Sequence, residues 1–92
     1  MVTQKLRIRG RVQGVGYRYA LVAEAERLGI AGWVRNRTDG SVEALVQGDA
    51  QPVAALVAWA RRGPPASRVD EVRVEPAGAD EVLVGFQLRP TL

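Results

Sequence analysis

The residues of this sequence whose types and spacing suit chemistry lie between Gln13 and Arg18. Two glycines, Gly14 and Gly16, allow the backbone to wrap closely around a ligand, so that successive N–H groups can point inward. Arg18 adds a planar, permanently charged guanidinium that donates hydrogen bonds as a fork. Together these groups suit a phosphate or a carboxylate. An ordinary tight turn is the commoner explanation of such glycines, and on spacing alone it stays open.

The composition narrows what this segment can do. The chain contains no cysteine and no histidine, which excludes disulfides, a thiolate nucleophile, a phosphohistidine intermediate and the common zinc sites. No group of carboxylates is spaced like a metal site, so we expect neither metal nor cofactor. The net charge of +3 favours anionic partners, either nucleic acid or small phosphorylated or carboxylated ligands. The strong preference for arginine over lysine also fits a thermophile or a GC-rich genome.

Length and hydropathy predict one soluble domain over residues 1–92. A chain of 92 residues is too short to build two separate cores. Its apolar stretches are far shorter than the roughly 20 residues that span a membrane, and its start lacks the pattern of an export signal. We therefore expect a cytoplasmic protein.

The segment must be positioned by a strand before it and a helix after it. Residues 5–12 alternate strictly between apolar and basic side chains, which predicts a half-buried strand with its arginines on a solvated face. Residues 17–28 change to a helical period, and Gly29 is typical of a helix end. The loop between them would lie at a helix start, where unpaired N–H groups and the helix dipole carry partial positive charge.

The rest of the chain predicts the sheet that supports this loop. Residues 31–36 and 41–47 read as a hairpin of two strands, followed by a second helix over about residues 50–62. A strand over residues 68–76 and a last one near residues 82–89 complete the chain. The order predicts an α+β fold, the ferredoxin-like sandwich (βαββαβ). In it an antiparallel sheet carries two helices on one face, here with a short extra C-terminal strand.

Two long motifs connect these elements to a known family. The first, from Ile8 to Arg18, reads I-R-G-R-V-Q-G-V-G-Y-R, and the second, from Gly32 to Val42, reads G-W-V-R-N-R-T-D-G-S-V. The chain thereby resembles the acylphosphatases, whose signatures are x-G-x-V-Q-G-V-x-F-R and G-W-V-x-N-x-x-x-G-x-V. The likeness extends through residues 61–69 and covers nearly the whole chain. It implies the ferredoxin-like fold and hydrolysis of a carboxyl–phosphate bond to a carboxylate and inorganic phosphate, without metal.

The resemblance also implies a role for each matched residue. Arg18 matches the catalytic arginine that binds the phosphate, and Asn36 matches the asparagine that positions the attacking water. Tyr17 stands where the family usually has phenylalanine, so its added hydroxyl needs water or a partner. The residues that match the phosphate-binding loop are Gln13, Gly14, Val15, Gly16, Tyr17 and Arg18.

Such a reaction is chemically reasonable without a histidine. Phosphoryl transfer has a loose transition state, so positioning and charge stabilisation supply most of the catalysis. The leaving carboxylate is stable as an anion near pH 7 and needs no general acid. We expect water to attack phosphorus in line with that leaving group, and a phosphate oxygen of the substrate to take the proton.

Two other functions stay open. An RNA-binding module shares this topology and would suit a basic chain, but neither central strand offers the stacking aromatics of such modules. An anion-binding domain without catalysis, or one that assists a larger maturation enzyme, is disfavoured because Arg18 and Asn36 are both present. The expected partner is a small acyl phosphate, with no nucleic acid and no membrane, and the expected state is a monomer.

Overall fold

The computed structural model describes residues 1–78 and 82–92. Its strands form one sheet in the order β4-β1-β3-β2-β5, in which the first four pair antiparallel and β5 runs parallel to β2 at one edge. This architecture confirms the predicted ferredoxin-like sandwich. The elements are β1 (Val2–Arg11), α1 (Tyr17–Arg27), β2 (Ala31–Asn36), β3 (Val42–Gly48), α2 (Ala50–Arg62), β4 (Arg68–Pro76) and β5 (Phe86–Leu88).

The core lies between the sheet and the two helices. Leu6 and Ile8 of β1 are fully buried, as their place on the apolar face of the alternating pattern predicts. Leu21 from α1 and Leu56 from α2 join the same cluster, so both helices cover one face of the sheet. Neither described helix has the length and apolar character of a membrane span.

A β-bulge shapes the end of β1 just before the loop. The register between β1 and β4 shifts between Arg9 and Gly10. Gly10 has a φ of 134°, and a Cβ there would lie 2.1 Å from the carbonyl oxygen of Arg68. Glycine is therefore required, both for the backbone angle and for the close approach of β4.

The last strand is shorter than the sequence pattern predicts. β5 covers only residues 86–88, whereas the expected strand ran over residues 82–89. Val84 lies outside it with a side chain that is 86% exposed. Part of the loop expected around Gly78 falls on residues 79–81, which lie outside the described residues. An alternating pattern at a sheet edge forms a ladder only where a neighbouring strand is present to pair with it.

The open face of the sheet carries a buried carboxylate, where the sequence predicted only a solvated face. Glu43 is 1% exposed. Its oxygens accept from Arg35 Nε at 2.8 Å, Lys5 Nζ at 3.1 Å, Arg37 Nη1 at 3.3 Å and Arg7 Nη2 at 3.4 Å. We call these five residues the Glu43 cluster. Burial raises the pKa of Glu43, but hydrogen bonds from Arg35 and Lys5 and the nearby charges outweigh it, so the pKa falls to about 2.

Candidate active site

The loop between β1 and α1 has free space beside its two glycines. Gly14 and Gly16 have φ values of 75° and 79°, a left-handed backbone that favours glycine. A Cβ at either position would meet no atom within 4 Å. These glycines, unlike Gly10, therefore serve the backbone angle rather than a close packing contact, and they leave space beside the loop.

The start of α1 presents backbone donors without acceptors. Gly16 precedes the helix and has no side chain that could cap it, and the first turn contains no acidic residue. The first bond of the helix runs from Ala20 N to Gly16 O at 3.1 Å. Helix geometry leaves the N–H groups of the preceding residues without intrahelical acceptors, at the positive end of the helix dipole. An anion at this end would supply both the acceptors and the counter-charge.

Arg18 lies in this first turn and borders a hollow of about 240 Å³. Its side chain is partly buried and forms no ion pair with any residue in ranges 1–78 and 82–92. The guanidinium lies 5.9 Å from the ring centre of Tyr19. Its positive charge is thus left available to a ligand. The hollow is lined by Val12, Gly14, Gly16, Tyr17, Arg18 and Tyr19.

The side chain of Gln13 ties the loop to the hairpin between β2 and β3. Its Nε2 donates to the carbonyl oxygen of Arg37 at 2.8 Å and to that of Ser41 at 2.9 Å. Sequence reasoning assigned only the backbone of Gln13 to the site, and nothing in the spacing of the motif indicated this side-chain role. The two bonds hold the hairpin against the loop.

Asn36 ends β2 at the base of that hairpin, where it pairs with Val42. Its Oδ1 is buried and accepts no hydrogen bond from any described residue. Buried side-chain acceptors are nearly always bonded in folded proteins. The acceptor of Asn36 is therefore available to a bound water, although Asn36 itself is not among the residues that line the hollow.

Asp39 in the same hairpin is held by the turn. It accepts from Ser41 Oγ at 2.6 Å and from Ser41 N at 2.9 Å, and these two hydrogen bonds lower the pKa of its carboxyl. An ionised carboxylate that accepts two hydrogen bonds is not a proton donor near neutral pH. Asp39 thus stabilises the turn. No residue that lines the hollow is acidic.

Tyr17 supports the loop from the core side. The residue is 1% exposed, and its hydroxyl donates to the carbonyl oxygen of Ala60 at 2.8 Å. Its ring centre lies 5.6 Å from that of Trp59. Burial raises the pKa of the hydroxyl. The hydroxyl that distinguishes Tyr17 from the family's usual phenylalanine thus has a hydrogen-bond partner within the protein. It faces the core rather than the hollow.

Aromatic side chains on the open face of the sheet are covered. Trp33 is 9% exposed, because the guanidinium of Arg35 lies 4.6 Å and that of Arg89 lies 5.0 Å from its ring. Binding of single-stranded RNA on this fold uses aromatic rings that are free to stack on bases. The covered Trp33 favours an active site at the loop over a nucleic-acid surface on the sheet.

Comparisons with known proteins agree along the whole chain. A family model described as acylphosphatase matches residues 4–88. An acylphosphatase of Thiobacillus denitrificans is 55% identical over 89 residues, which are 97% of this chain and 98% of that protein.

Two solved structures show the same fold. The crystal structure of acylphosphatase from Bacillus subtilis superposes with a TM-score of 0.93 at 36% identity, covering 97% of this chain and 99% of that one. The structure of an acylphosphatase from Coxiella burnetii gives a TM-score of 0.90 at 31% identity, covering 96% and 92%. The chain therefore belongs to the acylphosphatase family of hydrolases.

Proposed function

We propose that the loop, Arg18 and Asn36 form the site at which water attacks the phosphorus of a small acyl phosphate, in line with the leaving carboxylate and without a metal. The observation that carries the proposal is the buried Oδ1 of Asn36, which has no partner among the described residues. It belongs to a hairpin that Gln13 holds against an anion-binding loop. A water bound to Oδ1 would satisfy this acceptor and lie beside the phosphate.

The phosphate group is bound by the loop and Arg18. Its oxygens accept from the N–H groups of the loop and of the first turn of α1, from Gln13 to Arg18, and the guanidinium of Arg18 adds two donors. These donors are fixed before the reaction begins, so they stabilise the charge on the equatorial oxygens without reorganisation. This positioning replaces a metal ion as the source of positive charge.

Asn36 orients the nucleophile. The water donates one O–H to Oδ1 of Asn36, which turns an oxygen lone pair toward phosphorus. The proton of the attacking water passes to a phosphate oxygen of the substrate, since none of the residues lining the hollow is acidic. The P–O bond to the carboxylate breaks, and the carboxylate leaves as a stable anion.

We further propose that residues 1–92 act as one domain, a monomer in the cytoplasm whose partner is the small substrate rather than nucleic acid. The coverage of Trp33 by Arg35 and Arg89 supports the exclusion of nucleic acid. The match of the chain to nearly the full length of its relative from Thiobacillus denitrificans supports one domain.

The experiment compares an acyl phosphate with a phosphate ester. We expect hydrolysis of benzoyl phosphate without added metal, and a rate on phenyl phosphate that is lower by about 10³-fold or more. A phenolate leaving group needs a general acid, which typically contributes about 10² to 10⁴-fold, and the site offers none. Comparable rates on the two substrates would contradict the proposed mechanism. No activity on benzoyl phosphate would contradict the function itself.

A further inference from the structure

One large apolar side chain stands exposed at the edge of the proposed site. Tyr19 is 68% exposed, although it lies in the first turn of a helix whose other aromatic residue, Tyr17, is fully buried. The two residues are about 200° apart around the helix. The buried side of α1 carries Tyr17, Leu21 and Ala25, so Tyr19 points away from the core. Packing within the protein does not explain this ring.

Tyr19 lines the same hollow as the phosphate-binding groups. The hollow is formed only by residues of the loop and of the first turn of α1, and Tyr19 is its one exposed aromatic side chain. Its ring lies 5.9 Å from the guanidinium of Arg18, at the outer limit of a cation–π contact. That contact leaves most of the ring surface open to solvent or to a ligand.

The geometry of the reaction shows which part of the substrate reaches this ring. In an in-line displacement the attacking and leaving oxygens lie on opposite sides of phosphorus. In the proposed mechanism Asn36 holds the water. Asn36 lies at the base of the hairpin, and Gln13 holds that hairpin against the loop. In the proposed mechanism the acyl group leaves on the side opposite Asn36, which is not among the residues that line the hollow, whereas Tyr19 is.

We infer that Tyr19 contacts the acyl group of the substrate and makes the site favour acyl phosphates with an aromatic acyl group over those with a small aliphatic one. This inference rests on the proposed function. An exposed ring gains from an offset or edge-to-face contact with a second ring, whereas an acetyl group is too small to cover it. The contact exists in the bound substrate and in the transition state alike, so it acts mainly on KM.

The test compares benzoyl phosphate with acetyl phosphate. For Tyr19→Ala we expect the ratio of the two kcat/KM values to fall by about three- to ten-fold, mostly through a higher KM for benzoyl phosphate. Tyr19→Phe should keep the parent ratio, because the ring remains. Val84→Ala, which truncates another exposed apolar side chain far along the chain, is the matched control and should leave the ratio unchanged.

The outcomes separate this inference from the function on which it rests. An unchanged ratio in Tyr19→Ala would overturn the inference and leave the function intact. The inference is also overturned if kcat/KM falls by the same factor for benzoyl phosphate and acetyl phosphate, because Tyr19 would then only position Arg18. If the parent hydrolyses neither substrate, the proposed function fails and the inference fails with it. Since Tyr19 is exposed, Tyr19→Ala should fold like the parent. A thermal unfolding measurement of the variant checks this.

Discussion

Two positively charged regions of this molecule differ in where their charges find partners. On the open face of the sheet, four cations converge on the buried carboxylate of Glu43. At the loop, Arg18 has no carboxylate partner among the described residues, and the N–H groups beside it have no cap. The cations of the first region share a carboxylate of the protein. The charge of Arg18 is left to a ligand from outside the protein.

The difference shows that residue type alone does not decide the role of an arginine. Arg35 and Arg37 flank Asn36, yet both donate hydrogen bonds to Glu43, so each already has a counter-charge within the protein. Arg18 has the same side chain but no carboxylate partner among the described residues. We therefore expect substitutions in the Glu43 cluster to act on stability, and substitutions at the loop to act on catalysis.

The largest expected effect is that of Arg18→Gln. Without the guanidinium, the charge on the phosphate oxygens loses its main fixed counter-charge, and kcat/KM for benzoyl phosphate should fall by about 10³-fold. The free energy of unfolding should stay within about 0.5 kcal/mol of the parent. The control is Arg73→Gln, which removes an exposed arginine whose one ion pair among the described residues is with Glu71 at 3.8 Å, and it should retain full activity. Equal losses in both variants would erase the distinction between the regions.

Asn36→Ala should have the next largest effect. The attacking water loses its orienting acceptor, and kcat should fall by about 10²-fold. The variant also removes a buried acceptor that no described residue satisfies, so stability should be unchanged or slightly higher. Thr38→Ala, an exposed change in the same hairpin, is the control and should alter neither quantity. A loss of stability in Asn36→Ala that parallels its loss of activity would assign Asn36 a structural role instead.

Glu43→Gln should lower stability rather than activity. We expect a loss of about 3 kcal/mol, because the variant leaves Lys5 and three arginines without their shared counter-charge. Glu71→Gln is the matched control: its carboxylate is 49% exposed with partners at 3.6 and 3.8 Å, so at most about 1 kcal/mol is expected. Urea unfolding measures both. A larger loss for Glu71→Gln would show that burial does not decide the strength of these pairs.

The same variant has a pH signature. The folded-state pKa of Glu43, about 2, is below the usual value for glutamate, about 4.3. Its contribution to stability is therefore complete above about pH 4.3 and is lost as the pH falls toward 2. In Glu43→Gln, the loss of stability between pH 4.5 and 2 should be shallower than in the parent by roughly the energy missing at neutral pH.

Tyr17→Phe should have the smallest effect, and it separates support of the loop from chemistry at the loop. The variant removes one buried hydrogen bond to Ala60 and should cost about 1 kcal/mol of stability with kcat unchanged. Tyr19→Phe removes an exposed hydroxyl and should cost nothing measurable. A marked loss of kcat in Tyr17→Phe would show that its hydroxyl reaches the reaction.

The sequence predicts much of this fold because its periods follow burial directly. The alternation in β1 places Leu6 and Ile8 in the core, and the change to a helical period at Tyr17 marks the start of α1. The short length of β5 could not be predicted from its own pattern, because a strand at the sheet edge extends only as far as it pairs with its neighbour, here with residues 32–34 of β2.

Relations between distant side chains were beyond the sequence pattern. The Glu43 cluster joins residues of β1, β2, β3 and the turn between β2 and β3. Its members look like independent surface charges until the strands are paired. The bonds from Gln13 to Arg37 and Ser41 likewise cross 24 and 28 positions. The motif indicated Arg18 and Asn36, but only the folded chain shows that Asn36 Oδ1 is buried with no hydrogen-bond partner among the described residues.

Hydrolysis of benzoyl phosphate in ¹⁸O-enriched water, with a metal chelator present, tests the account most directly. If Asn36 and the loop direct water to phosphorus, the label must appear in inorganic phosphate and not in benzoate, and the chelator must leave the rate unchanged. Label in benzoate would show attack at the carbonyl carbon. Loss of the rate on chelation would show that a metal supplies the charge assigned here to Arg18 and the backbone of the loop. Either result would contradict the mechanism.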